Sequence, residues 1–215
     1  MIIAIDGPAA AGKGTLARRI AAALGLPYLD TGLLYRAVGR LVLEAGGDPA
    51  DPVAATAAAR TLRAEDFARG DLRDAAASKA ASQVASIPEV RAALLAFQRR
   101  FGNENGAVLD GRDIGTIIFP AADIKLFVTA SLAARAGRRH AELRAKGDEM
   151  TLEAVREDLA ARDEADARRA AAPLVAAADA ILFDTTEMDA DAAFSRALAL
   201  IKARAGSRAL HGEHL

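Results

Sequence analysis

Residues 2–24 place the tightest limit on what this chain can become. Ile2-Ile3-Ala4-Ile5 is a short apolar run that ends at Asp6. Gly7-Pro8-Ala9-Ala10-Ala11-Gly12-Lys13-Gly14-Thr15 follows directly, and Leu16 to Leu24 then has helical spacing, stopping at Gly25 with Pro27 just beyond. A short apolar run leaving into a glycine-rich loop is the pattern of a strand buried in a parallel sheet. G-x4-G-K between a strand and a helix is the spacing of a phosphate-binding loop, or P-loop. Its glycines let backbone N–H groups turn inward around an anion, and the helix N-terminus behind them adds its dipole. Lys13 is placed to reach the outer phosphates of ATP as a point charge, and the Thr15 hydroxyl suits the accompanying Mg²⁺. Gly7 to Thr15 are thus the candidate ATP-binding residues, with Thr15 the candidate metal ligand.

The rest of the chain repeats the strand-then-helix rhythm. Tyr28-Leu29-Asp30 precedes a helix from Thr31 to about Gly46, and Ala50 to Leu62 has helical character. Arg63 to Asp71 is polar, contains Gly70, and is expected to turn. Ala75 to Ser86 is helical, and Pro88 opens a helix ending near Gly102. Further strands are expected at Ala107 to Asp110, Ile124 to Val128 and Ile181 to Asp184. Ser131 and Thr151 are cap residues for two more helices, and a last helix covers about Ala190 to Ala203. Residues 206–215 are expected to fray, with His211 and His214 solvated. Strands alternating with helices predict an α/β fold with a parallel sheet and helices on both faces.

Composition removes several classes of function. The 28 Lys and Arg balance 29 Asp and Glu, a net charge of -1, so nothing global points to nucleic acid or an anionic membrane. There is no cysteine, which excludes disulfides and cysteine-ligated metals. No apolar run approaches the roughly 18 residues of a membrane span. The opening residues lack the cationic start of a secretory signal, so a cytoplasmic protein is expected.

Several motifs carry a more specific resemblance. The Lys13-Gly14-Thr15 ending, with Gly where Ser or Thr often follows the lysine, resembles the nucleoside-monophosphate kinases. Asp110-Gly111-Arg112-Asp113 follows a strand, at the sheet edge where ligands bind in open α/β folds. It occurs together with Leu29-Asp30-Thr31-Gly32-Leu33-Leu34-Tyr35-Arg36, Ala80-Ala81-Ser82-Gln83-Val84-Ala85 and Pro88-Glu89-Val90-Arg91. Asp113-Ile114-Gly115-Thr116, Phe119-Pro120-Ala121-Ala122 and Ala172-Pro173-Leu174 follow in order. From Ile2 to about Ala203 the chain resembles bacterial cytidylate kinases. That resemblance implies a P-loop NTPase-type core (1–35, 103–147 and 171–205), an NMP-binding insertion (36–102) and a mobile lid (148–170). It implies transfer of the γ-phosphoryl group of ATP to CMP or dCMP, with Mg²⁺, by a monomer.

The resemblance also implies residue roles. Asp110 and Thr31 would lie near the acceptor nucleotide, and Arg36, Arg112 and Arg169 would hold its phosphate. Tyr35, Arg162 and Asp166 would lie near the phosphate and ribose. Ser82, Arg91 and Asp113 would read cytosine. Lys13, Arg112, Arg162 and Arg169 would be the catalytic set, spreading charge in the transition state. The acceptor is already an anionic phosphate oxygen, so no general base is required, and His140, His211 and His214 would be bystanders. Two departures stand out. The stretch between the Tyr35-Arg36 helix and the Ser82 helix is short and Ala-rich, so the family's small antiparallel sheet is not expected there. Ala165 and Ala167 stand where arginines are expected, so Arg168, or Arg138 with Arg139, would supply charge near ATP.

Residue patterns alone leave rivals. A UMP/CMP or shikimate kinase would share the loop. A nucleotide-sensing module or switch GTPase would share it too. The only asparagines are Asn103 and Asn105, so the guanine-reading Asn-Lys-x-Asp is absent, as is Leu-Ser-Gly-Gly. Between Arg135 and Arg169, nine basic and nine acidic residues alternate, so many must be solvated helix pairs.

Overall fold

The computed structural model describes residues 1–67 and 69–211, with backbone only for 64, 73, 75 and 207–211. Five parallel strands form a single sheet in the order β2-β3-β1-β4-β5. They are β1 (Ile2–Asp6), β2 (Tyr28–Asp30), β3 (Ala107–Gly111), β4 (Ile124–Thr129) and β5 (Ile181–Asp184). Parallel strands need crossovers, and the helices supply them: α1 (Lys13–Leu24), α2 (Thr31–Glu44), α3 (Pro52–Thr61), α4 (Ala64–Phe67), α5 (Ala75–Val84), α6 (Pro88–Asn105), α7 (Leu132–Ala145), α8 (Leu152–Arg168) and α9 (Ala190–His211).

The two sheet faces bury different sets of side chains because successive residues of a strand point to opposite sides. Ile3, Ile5, Val108, Leu126 and Val128 pack with Leu16 and Ile20 of α1 and Ile201 of α9. Ala4, Leu29 and Leu109 face the other way and pack with Leu34 and Val38 of α2, Val84 of α5 and Leu94 of α6. A third small cluster joins Ala9 of the loop to Ala136 of α7 and to Val155 and Leu159 of α8. Small residues set the closeness of α2 and α5. A Cβ on Gly39 would lie 2.7 Å from the Ala80 Cβ and 3.0 Å from its carbonyl carbon, so any side chain there would push α5 away.

Helix ends follow the expected chemistry. Ser131 accepts from the Ala134 N–H and Thr151 from the Ala154 N–H, capping α7 and α8. Asp51 and Asp74 cap α3 and α5 in the same way.

Four local features differ from the sequence reading. α1 begins at Lys13 rather than Leu16, because Gly12 adopts φ 86° and closes the loop directly onto the helix. Residues 63–71 hold the short α4 and the start of a 3₁₀ turn (Gly70–Arg73), with Asp66 accepting the Arg63 N–H. After Asp113 the chain makes a wide helical turn, Ile114–Ile118, whose Phe119 N–H bonds the Ile114 carbonyl at 2.7 Å. α9 continues past Ala203 to His211, so the expected fraying does not begin at Gly206. Residues 212–215, His214 among them, lie outside the described residues. Among the described residues the five-stranded sheet is the only one, and none of its strands lies between α2 and α5. No helix of the described residues is long and apolar enough to cross a membrane.

Candidate active site

The P-loop leaves the carboxyl end of β1, the central strand. Gly7 cannot be replaced there: its φ is 147°, and a Cβ would sit 1.9 Å from the Val128 carbonyl oxygen of the neighbouring β4. Ala10 also has positive φ, 59°, a conformation that alanine adopts only when the surroundings impose it. The Lys13 side chain is buried across the loop and donates to the Pro8 carbonyl at 2.7 Å. Thr15 is exposed on the first turn of α1.

Asp110, at the end of β3, lies under this loop. A Cβ on Gly14 would come within 3.2 Å of Asp110 Oδ2, so the glycine after Lys13 admits the carboxylate to the helix N-terminus. Tyr28 donates its hydroxyl to the same oxygen at 3.4 Å. Burial dominates both titrating groups here. It lowers the Lys13 ammonium below its ordinary value, with Arg112 acting in the same direction, and raises the Asp110 carboxyl, reinforced by Asp30. Bound phosphates would supply the negative charge that restores full protonation of Lys13.

A cleft of about 460 Å³ empty volume opens between α2, α5, α6, the segment after β3 and the end of α8. Nine of the eleven candidate acceptor residues line it: Thr31, Tyr35, Ser82, Arg91, Arg112, Asp113, Arg162, Asp166 and Arg169. Arg36 and Asp110 are not in its wall. Arg36 donates to the Leu72 carbonyl at 3.4 Å, and Asp110 faces Gly14, Tyr28 and Lys13 as described.

Two ion-pair groups face each other across the cleft. Arg91 donates to Asp113, both nearly buried, while the Arg91 guanidinium lies 5.5 Å from the centre of the Tyr35 ring and donates to the Ala85 carbonyl at 3.3 Å. Opposite them, Asp166 accepts from Arg112 Nε at 2.7 Å and from Arg169. Burial alone would raise the Asp166 carboxyl, but Arg112, then Arg169 and Arg162, hold it below its ordinary value. Burial and the nearby Arg112 push the Arg162 guanidinium down to about 10, and its Nε is buried without a hydrogen-bond partner among the described residues. Three guanidinium groups around one carboxylate leave an excess of positive charge, which suits a dianionic phosphate.

Thr31 and Ser82 present hydroxyls. Thr31 Oγ1 donates to the Asp110 carbonyl at 2.7 Å, and a Cβ on Gly111 would lie 2.6 Å from that hydroxyl. Ser82 Oγ donates to the Ser78 carbonyl at 3.3 Å and can rotate to a ligand. The arginines expected to serve ATP are otherwise engaged here. Arg138 donates to the Thr185, Thr186 and Met188 carbonyls, Arg139 pairs with Glu142, and the exposed Arg168 pairs with Glu164.

Two residues escaped the sequence reading. Arg135 of α7 is buried, donates to the Ala9 carbonyl of the loop at 3.3 Å and pairs with Asp163 of α8 at 2.6 Å. Asp6 is buried at the end of β1 and accepts the Ile114 and Gly115 N–H groups. A lone acid ending an apolar strand was its only signal, and Arg135 was hidden in a charge-dense helix.

Comparison with known proteins agrees with this geometry. A profile of the family described as "Cytidylate kinase" matches residues 3–203. The chain is 66% identical over 201 residues to the cytidylate kinase of Acidiphilium cryptum, covering 94% of this chain and 95% of that one. It is 59% identical over 202 residues to the cytidylate kinase of Granulibacter bethesdensis, covering 94% and 97%. An uncharacterized protein from Eubacterium ventriosum shares the fold, with a TM-score of 0.56 at 16% identity over 94% of this chain and 98% of that one. The chain belongs to the cytidylate kinase family.

Proposed function

We propose that the chain transfers the γ-phosphoryl group of ATP to CMP or dCMP, giving ADP and CDP or dCDP. One observation carries the assignment of the site: a single cleft beside the P-loop holds a base-sized polar pair, Arg91 with Asp113, and an arginine group around Asp166. The first matches the donor and acceptor edge of cytosine, and the second matches a nucleotide phosphate.

Residues Gly7 to Thr15 take the ATP phosphates. Lys13 leaves the Pro8 carbonyl for the outer phosphates, and its charge is restored there. The acceptor lies in the cleft with its base between Ser82, Arg91 and Asp113 and its sugar near Asp166. Its phosphate meets Arg112, Arg162 and Arg169, with Arg36 joining from α2. These charges oppose the repulsion between two anionic reactants and follow the negative charge as it shifts toward the leaving ADP.

The donor set fits a Mg²⁺ ion: an exposed hydroxyl at Thr15 and a buried carboxylate at Asp110, admitted beside Gly14. The ion would neutralise charge on the transferring phosphates. Thr15 and Asp110 would hold it, the latter through water.

Residues 36–102 form the acceptor-binding insertion and 148–170 the lid. Closing the end of α8 over the arginines excludes water, so ATP is not hydrolysed. Every residue of the proposed site comes from one chain, which supports a monomer. The test is an ADP-release assay against CMP, dCMP, UMP, AMP, GMP and shikimate. CMP and dCMP should support turnover, and preferential use of another acceptor would refute the assignment.

A further inference from the structure

Asp6 closes β1 where the P-loop begins, and its carboxylate is engaged by the segment after β3. Oδ1 accepts the Ile114 N–H at 2.8 Å, and Oδ2 accepts the Gly115 N–H at 2.7 Å. Its own backbone pairs in register with Gly111, the last residue of β3. Arg112 and Asp113 are the two residues between these anchor points. Asp6 therefore grips both ends of the segment that presents them: the start through the sheet ladder, the end through its side chain.

We propose that Asp6 is the positioning residue that sets the acceptor-reading pair Arg112 and Asp113 in register with the phosphate loop. The inference rests on the functional reading above, since it assumes that these two residues meet the acceptor.

Three observations support it. First, the turn that Asp6 holds is anchored at its far end as well. Arg99 of α6 donates Nε to the Ile118 carbonyl and Nη2 to the Ile117 carbonyl, both at 3.1 Å. A carboxylate takes the N–H groups at one end of the turn and a guanidinium takes the carbonyls at the other. The segment between strand and turn is thus held by charge-assisted bonds, which are stronger than neutral ones. Second, the contact leaves no slack. A Cβ on Gly115 would lie 3.3 Å from Asp6 Oδ2 and 3.1 Å from the Lys125 side chain. Third, two accepted N–H bonds need an ionised carboxylate. A carboxamide accepts at one end only and would turn its own N–H toward the other donor.

The ionised form is held against opposing pressure. Burial pushes the Asp6 carboxyl up to about 6, Gly115 and Ile114 pull it back, Asp113 adds to the rise and Lys13 offsets part of it. Lys125 of β4 packs its aliphatic stem against Gly115, while its ammonium donates to the Pro120 carbonyl and pairs with Asp179. Protonation of Asp6 near pH 6 would release one anchor, so acceptor binding should weaken there while the phosphate loop stays formed.

The experiment compares the full-length wild type with Asp6→Asn by ADP release between pH 5.5 and 8, varying CMP, UMP and ATP in turn. In the variant at pH 7.5, the KM for CMP should rise about tenfold and the CMP/UMP preference should fall about tenfold, the equivalent of one charge-assisted bond. The KM for ATP should change less than about threefold, a small fraction of that bond. The acceptor's own phosphate titrates near pH 6 with either protein. The readout is therefore the extra loss of CMP kcat/KM on acidification, present in wild type and missing in the variant. An unchanged CMP KM and base preference in a folded variant would overturn the proposal. So would an equal rise in both KM values, or identical acid limbs. If Asp6→Asn does not fold, Arg99→Gln frees the other end of the turn and should show the same KM split; unaltered acceptor kinetics there would overturn the proposal. A wild type without CMP-dependent ADP release would instead refute the functional reading itself.

Discussion

Replacing Asp113 with alanine tests how the base is chosen. Cytosine offers an amino donor at N4 and acceptors at N3 and O2, whereas uracil offers an acceptor at O4 and a donor at N3. A carboxylate that is 4% exposed welcomes the first edge and repels the second. On the proposed reading its loss removes a charged hydrogen bond to N4, about 1.5–3 kcal/mol, or one to two decades in kcat/KM for CMP. UMP loses nothing and is relieved of a repulsion, so the CMP/UMP ratio should fall by roughly a hundredfold. The structure also predicts a stability cost. Arg91 is left partly buried without its carboxylate, which costs on the order of 3 kcal/mol. Its cation–π contact with Tyr35 and its bond to the Ala85 carbonyl keep it in place. Steady-state kinetics with both acceptors, beside urea unfolding of both proteins, separate the two effects. Equal use of CMP and UMP by the wild type, or an unchanged ratio in a folded variant, would refute the reasoning.

Other perturbations reach the remaining parts of the site. Lys13→Ala should cut turnover by about 10²–10³ while the fold survives, since the one hydrogen bond of the Lys13 ammonium among the described residues goes to a loop carbonyl; full activity would refute its role, and unfolding would show it to be structural. Hydrogen exchange between residues 148 and 170 should slow when ATP-site and acceptor-site ligands are bound together, and complete protection in the free protein would count against a lid. Stability should follow Asp6 with a definite sign. A folded value of about 6 against the ordinary 3.8 means that the folded state holds the proton more tightly. Stability from this group is therefore full below about pH 4 and lost as pH rises to about 6, a cost of about 3 kcal/mol. Urea unfolding of Asp6→Asn should lack that decline; parallel pH curves for variant and wild type would refute the assignment.

Four of the five strands and the P-loop were legible because they rest on strong local signals, short apolar runs and glycines at phosphate-loop spacing, while β2, only Tyr28-Leu29-Asp30, is too short to declare itself a strand. The wide turn at Ile114–Ile118 was not, since Ile-Gly-Thr-Ile-Ile has neither helical nor alternating pattern and is held by Asp6 and Arg99 from other elements. Asp110 shows the same limit. Its place in a motif was plain, but the direction of its side chain depends on the space left at Gly14, far away in sequence. Motif spacing named nine of the residues that line the cleft; it could not say that Arg36 would reach for Leu72 or Arg138 for the loop after β5.

The strand order has a consequence for how the chain is made. β1 emerges first, but Ile2 pairs with Ala107 and Ile3 with both Val108 and Ile124. At ribosomal rates of about 5–20 residues per second, the stretch between Ile2 and Ala107 takes roughly 5–20 s to synthesise. Throughout that interval the most apolar strand of the molecule has neither of its neighbours. The helices of residues 31–105 can form locally in the meantime, before the sheet around β1 can close. A chaperone that protects the nascent chain would therefore have most to gain at β1.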